Sequence, residues 1–321
     1  MFFKGKIIAP VFARVAYAVL KLVGWKRGTV LANAKHVAGA VPSDAVSGAD
    51  SKISPDYNTL LKNLTRHASE LLFCFGTFKR LPADFSKYPC CVDGWTFDIA
   101  EGSVPVLEKM RKGGIFLTAH YGNYEAMGPW LCRLGIPLVA SYIPVKPKWL
   151  NNILERKIRA VDGRSYSVDA RTPRDFLRIL NDGKLFCLLS DQDSRIPSAL
   201  LGTFLGHPAN VNPLPDFLLK HRPQTPVFIC WMEELGASPK GTSTKGASSK
   251  KVRVLHAIEV EGPQVASPAR LASPAPSPSQ SSVVNSQFNK WLEERIYENP
   301  NLWYSFTHRR FYSQSPEIYG E

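Results

Sequence analysis

Short apolar runs alternate with helical segments through the middle of this chain, and that rhythm restricts its fold most. Ile115 to Ala119, Pro137 to Tyr142, Leu185 to Ser190 and Pro226 to Met232 are short apolar runs that read as strands. Between and after them come helical segments: one to about Arg133, a basic one from Trp149 to Val161, Thr172 to Asn181, and Pro213 to His221. Thr172 provides an N-cap and Pro173 a first-turn proline. Strands separated by helices at this spacing predict an α/β fold with a mixed, largely parallel central sheet flanked by helices. Further helices are expected at 59–80, where Leu60, Leu61, Leu64, Leu71, Leu72 and Phe75 share helical spacing, at 104–112 before Gly113-Gly114, and at 283–298. Val252 to Val260 reads as another strand.

The remaining organisation follows from composition. At 321 residues, 44% hydrophobic and 21% charged, the chain has enough apolar side chains for a large core and is not a disordered polyampholyte. Residues 36–321 read as one domain. Residues 39–58 read as a loop. The low-complexity stretches at about 236–251 and 265–282 read as a long hairpin loop and a flexible connector, because neither can bury enough apolar surface to order itself. Six cysteines include no C-x-x-C pair, so neither a zinc site nor a disulfide framework is expected. No metal and no cofactor is expected.

The N-terminus points to a membrane. Residues 1–35 contain seven basic residues and no acidic one, interleaved with Ile7-Ile8-Ala9-Pro10-Val11-Phe12, Val15 to Leu20, and Leu22-Val23. Arg14 and Lys21 break the apolar run, which falls short of the roughly 20 residues a spanning helix needs. The expectation is a helix lying in or obliquely anchored to an anionic membrane surface on its cytoplasmic side. The net charge of +13 agrees with an anionic partner. No nucleic-acid motif is present, and nucleic acid is not an expected partner.

Chemistry concentrates at Gly113-Gly-Ile-Phe-Leu-Thr-Ala-His120-Tyr-Gly-Asn-Tyr-Glu125, an H-x-x-x-x-E pattern. Residues five apart do not share a helix face. His120 and Glu125 can converge if His120 ends a strand and Glu125 lies in the next helix, with Gly122 and Asn123 in the turn. That arrangement predicts a histidine base whose tautomer the Glu125 carboxylate fixes. The bare pattern is unspecific: seven histidines and an acidic frequency of 27/321 give about 0.6 chance matches, and His256 to Glu261 is a second one. Residues five apart in a strand point to opposite faces, which disqualifies that second match.

The His120 block resembles the first block of the lysophospholipid acyltransferase superfamily, and more narrowly of the bacterial lipid A biosynthesis (late) acyltransferases. Tyr142-Ile-Pro-Val-Lys-Pro147, Leu154-Glu-Arg156-Lys-Ile-Arg159 and Gly163 resemble the second block. Leu188-Leu-Ser-Asp191-Gln-Asp193 with Gly202 to Ala209 resembles the third, and Thr225 to Phe228 the fourth. Asn299 to Phe311 resembles the closing segment. Together the blocks cover about Arg27 to Phe311 in the family's order. One departure is Ile143, where the family usually carries arginine.

The resemblance implies a glycerol-phosphate-acyltransferase-like fold at the cytoplasmic face of the inner membrane of a Gram-negative-type bacterium. It implies transfer of a fatty acyl chain from acyl carrier protein or acyl-CoA to a hydroxyl of a lipid A precursor, a lipid-linked sugar. His120 would be the base and Glu125 its orienting group. Backbone N–H groups at Gly122 and Asn123 are candidates to offset the oxyanion. Arg156, Arg159 and Arg164 are candidates for acceptor phosphates. Asp191 and Asp193 are expected to build the pocket and pair with Arg195. Phe204, Gly202 and Gly206 are candidates for shaping the acyl channel, and His308-Arg309-Arg310 for a phosphate or membrane contact.

Other activities fit parts of the sequence. Another glycolipid or a lysophospholipid could be the acceptor. Asp191-Gln-Asp193 after an apolar strand also suits a D-x-D glycosyltransferase holding a divalent cation, although that leaves the His120 block unexplained. A non-catalytic membrane- or nucleic-acid-binding protein would use the basic charge alone.

Overall fold

The computed structural model describes residues 2–39, 53–142, 144, 146–235, 252–260 and 283–321. Both low-complexity stretches, most of the 39–58 loop and Ile143 lie outside these residues. In chain order the helices are α1 (Phe2–Leu22), α2 (Arg27–Val37), α3 (Tyr57–Phe78), α4 (Ser103–Met110), α5 (Tyr124–Arg133), α6 (Lys148–Ile153), α7 (Pro173–Asn181), α8 (Leu214–His221) and α9 (Val283–Glu298). The strands are β1 (Cys90–Val92), β2 (Trp95–Ile99), β3 (Gly114–Thr118), β4 (Leu138–Ser141), β5 (Ala160–Val161), β6 (Arg164–Ser165) and β7 (Ser167–Val168). They continue with β8 (Leu185–Leu189), β9 (Leu200–Phe204), β10 (His207–Val211), β11 (Val227–Leu235) and β12 (Val252–Val260).

The fold is α/β. Eight strands form one sheet in the order β1-β2-β12-β11-β3-β8-β4-β7. Its β11/β3, β3/β8, β8/β4, β4/β7 and β12/β2 pairs are parallel, while β11/β12 and β1/β2 are antiparallel. All five residues of β3 are buried, as expected of a central strand covered on both faces. Ile115 and Leu117 pack on one side with Leu180, Leu218 and Phe288 of α7, α8 and α9. Phe116 packs on the other with Leu107, Met127 and Trp130 of α4 and α5. Gly113 and Gly114 enter β3 with φ of 88° and 137°. A Cβ on either would lie within 2.7 Å of a carbonyl oxygen of a neighbouring strand segment, so only glycine fits that entrance.

The N-cap at Thr172 is a full capping box with Asp175, which fixes the start of α7. The expected helix over 149–161 is shorter: α6 gives way to a π-helical turn at Leu154–Ile158 and then to β5. The hairpins β1/β2 and β9/β10 fall where no strand was expected. The amino-terminal segment is two helices, α1 and α2, bent by 81°. Neither is long and apolar enough to cross a membrane alone. Ile7, Val11, Phe12, Val15, Val19 and Leu22 of α1 are exposed.

Candidate active site

Parallel pairing of β3 with β8 assembles the site. Thr118 sits opposite Leu189, so the residues just past both carboxyl ends emerge side by side. His120 follows β3 and Asp191 follows β8. This is the edge at which open α/β sheets place their ligand sites. His120 Nδ1 lies 2.8 Å from Asp191 Oδ1. Asp191 Oδ2 accepts the backbone N–H of His120 at 3.1 Å, Trp303 Nε1–H at 2.9 Å and the Ser305 hydroxyl at 2.6 Å.

Asp191 is only 1% exposed. Burial alone would raise its pKa, but His120 and the Ser305 and Trp303 donors reverse that, holding the carboxyl well below its usual range. It is therefore ionised and can only accept, so Nδ1 carries the imidazole proton and Nε2 is left unprotonated. For His120 itself, burial works against the charged ring, yet the adjacent Asp191 charge and hydrogen bond, with the farther Glu125 charge, raise the pKa.

This corrects the expected pairing of His120 with Glu125. Glu125 lies in the first turn of α5 and binds Arg159, with Arg159 Nη2 donating to Oε1 at 2.7 Å and Nε to Oε2 at 3.4 Å. The reason is topological: β8 brings a carboxylate against the imidazole from the neighbouring strand, while the first turn of α5 directs Glu125 toward Arg159.

Beside His120 opens a cavity of about 440 Å³. Phe116, Met127, Leu138 and Cys187 give it an apolar lining; Glu125 and Arg159 add a forked ion pair. That size and mixture suit an organic ligand with an apolar part and a few anchoring polar groups. Burial pushes the Cys187 thiol up to about 12, so it stays protonated and is a poor nucleophile at neutral pH. Gly128 lines the same cavity against Tyr166, and a Cβ there would lie 2.4 Å from the Tyr166 hydroxyl oxygen. Gly128→Ala is expected to displace the Tyr166 ring and cost about 1–3 kcal/mol by overpacking, readable as a lower denaturant midpoint.

Other expected site residues lie elsewhere. Gly122 donates its N–H to Leu302 O at 2.9 Å, so it is not available to an oxyanion. Asn123 is buried and donates to Glu70 Oε2 at 2.9 Å. Both line a separate cavity of about 130 Å³ behind the turn. Arg156 and Arg164 are exposed and outside the lining of the His120 cavity; of the three arginines only Arg159 reaches it. Asp191 pairs with His120 rather than Arg195. Asp193 accepts from Arg195 Nε at 3.2 Å and from the Ser313 hydroxyl at 2.8 Å. Both bonds fall on Asp193 Oδ2, while Asp191 has both oxygens engaged; among the described residues neither aspartate belongs to a group of three or more potential metal ligands. Phe204 is fully buried against Trp303, and Arg310 is fully buried over the Phe204 ring, so neither shapes the cavity nor meets a membrane. His308 is exposed, with its ring 6.2 Å from that of His120.

Sequence reasoning missed Trp303 and Ser305 as partners of Asp191, and Tyr304, whose N–H donates to His120 O at 2.8 Å. The signal was present in the closing aromatic segment, but nothing local shows which strand it meets. His67, Glu70 and Glu234 also converge, with ligand-type atoms within 4.8 Å of one another. Arg253 Nη2 binds Glu70 Oε2 at 2.7 Å and Arg66 Nη1 binds Glu234 Oε2 at 2.7 Å, so this cluster is an ion-pair network. No protein-family model matches the chain, and no curated protein matches it.

Proposed function

We propose that this protein is a membrane-associated acyltransferase that moves a fatty acyl chain from a thioester to a hydroxyl of a lipid-linked sugar, a lipid A precursor. The observation carrying the reading is His120, held by buried Asp191 beside a largely apolar cavity at the carboxyl ends of the parallel strands β3 and β8. Neutral His120 takes the acceptor hydroxyl proton on Nε2 as the oxygen attacks the thioester carbonyl. Asp191 stabilises the resulting imidazolium. As the tetrahedral intermediate collapses, the carbon–sulfur bond breaks and the thiolate receives the proton from His120. No acyl-enzyme is needed. Arg159, paired with Glu125, is the cation best placed to meet an anionic group of the acceptor. The exposed apolar face of α1, with its basic residues, holds the protein on an anionic bilayer at the cytoplasmic face of an inner membrane. The donor is acyl carrier protein or acyl-CoA.

The test is incubation of the full-length protein with a labelled acyl carrier protein thioester and a lipid A precursor, followed by product mass. A product heavier by one acyl chain is expected, and His120→Ala should lower its rate by about 10²–10⁴-fold. Label found only on phospholipid would exclude the lipid A acceptor and keep the transfer chemistry. No transfer to either acceptor would exclude the reading.

A further inference from the structure

α1 presents three faces to its surroundings. Gly5, Ala9 and Phe12 lie toward α3; a Cβ on Gly5 would sit 2.3 Å from Phe73 O, and the Phe12 and Phe73 rings meet at 5.2 Å. Ile7, Val11, Val15 and Val19 are exposed. At 100° per residue, Pro10, Ala13, Arg14 and Tyr17 fall between those two faces. They form one wall of a cavity of about 800 Å³, separate from the cavity at His120. Lys62, Thr65, Arg66 and Cys74 of α3 form another wall, and Trp95 and Arg253 complete it.

Charge in this cavity does not cancel. Arg66 is bound to Glu234 and Arg253 to Glu70, each at 2.7 Å, while Asp93 pairs with Arg80. Arg14 and Lys62 are left, among the described residues, with no carboxylate at salt-bridge distance. Both are exposed at the rim, and Lys62 Nζ stands 5.6 Å from the centre of the Tyr17 ring. Small and apolar side chains with two cations outside any salt bridge at the rim complement an anionic amphiphile. The exposed apolar face of α1 runs alongside, so a lipid could pass from bilayer to cavity without its chain crossing water.

We propose that this cavity binds one anionic membrane phospholipid, with its phosphate against Arg14 and Lys62 and an acyl chain along Ala13, Cys74 and Trp95. The inference rests on the membrane association proposed above and not on the chemistry at His120. A bound lipid of this kind would fix the angle at which α1 sits on the domain.

The test is photolabelling of the full-length protein in nanodiscs, using phosphatidylglycerol or phosphatidylcholine with a diazirine in one acyl chain, and peptide mapping by mass spectrometry. Phosphatidylglycerol should label peptides containing Ala13, Cys74 or Trp95 severalfold more than phosphatidylcholine. The double variant Arg14→Glu, Lys62→Glu, altering only exposed side chains, should lose about tenfold or more of that labelling. Ala13→Trp, which sets an indole across the path of the acyl chain, should lose it too, while His120→Ala should label like the wild type. Equal labelling by both probes, or labelling unchanged in the double variant, overturns the site. If the protein then still co-sediments with phosphatidylglycerol vesicles, membrane association stands without it; if it does not, both fall.

Discussion

Asp191→Asn is expected to lower the rate of the proposed acyl transfer by about 10²–10⁴-fold, nearly as much as removing His120, while leaving the fold intact. Asp191 Oδ2 takes three donors, from the His120 backbone, Trp303 and Ser305, while Oδ1 takes His120 Nδ1. An asparagine in this place must turn its carbonyl oxygen toward the three donors, which puts its NH₂ against Nδ1. The imidazole then carries its proton on Nε2, and the nitrogen that should accept the substrate proton is already occupied. The variant should also change the pH profile. In the native protein His120 has a raised pKa, so the acid limb of the rate, where the base loses its proton, lies above the ordinary histidine value of about 6.5. Without the Asp191 charge, burial dominates, and the limb of the residual activity should move to lower pH. A rate–pH profile for both proteins checks this; an unchanged limb would place the base elsewhere.

Glu70→Ala is expected to destabilise the protein by about 3–5 kcal/mol, measured by denaturant unfolding. Arg253 is 1% exposed and lies over the Trp95 ring at 3.6 Å, with Glu70 as its nearest carboxylate at 2.7 Å. The next, Glu234, is 3.6 Å away and already bound by Arg66. Removing Glu70 leaves a buried guanidinium poorly compensated and also releases Asn123 from its acceptor. Arg253→Met in the same background should recover much of the loss, because replacing a buried ion pair by apolar groups is often near neutral. Failure of the second change to restore stability would mean that the Asn123 contact, rather than the charge, sets the cost.

The sequence made the sheet legible and left its neighbour relations hidden. Ile115–Ala119 is a strand covered on both faces, and Leu185–Ser190 is a strand mostly buried until Leu189, which is exposed; that burial is written in their apolar composition. Strand order is not. Asp191 and His120 are 71 positions apart, and only parallel pairing of β3 with β8 brings them together. Glu125 is close to His120 in the chain, and local reasoning favours close residues. The same limit hid Trp303 and Ser305, which meet Asp191 from more than a hundred positions away. Short hairpins such as β9/β10 were missed for a different reason: Leu200–Val211 contains Gly202, Gly206 and Pro208 and lacks an apolar alternation.

The clamp on Asp191 by Trp303 and Ser305 has a consequence for the life of the molecule. The imidazole and its carboxylate are both synthesised long before residues 303–305, yet their geometry depends on those late arrivals. A nascent polypeptide halted on the ribosome before Trp303, or one clipped there by a protease, would contain every reacting group and still lack a properly seated base. The seating of His120 thus waits on residues 303–305, made more than a hundred positions after Asp191.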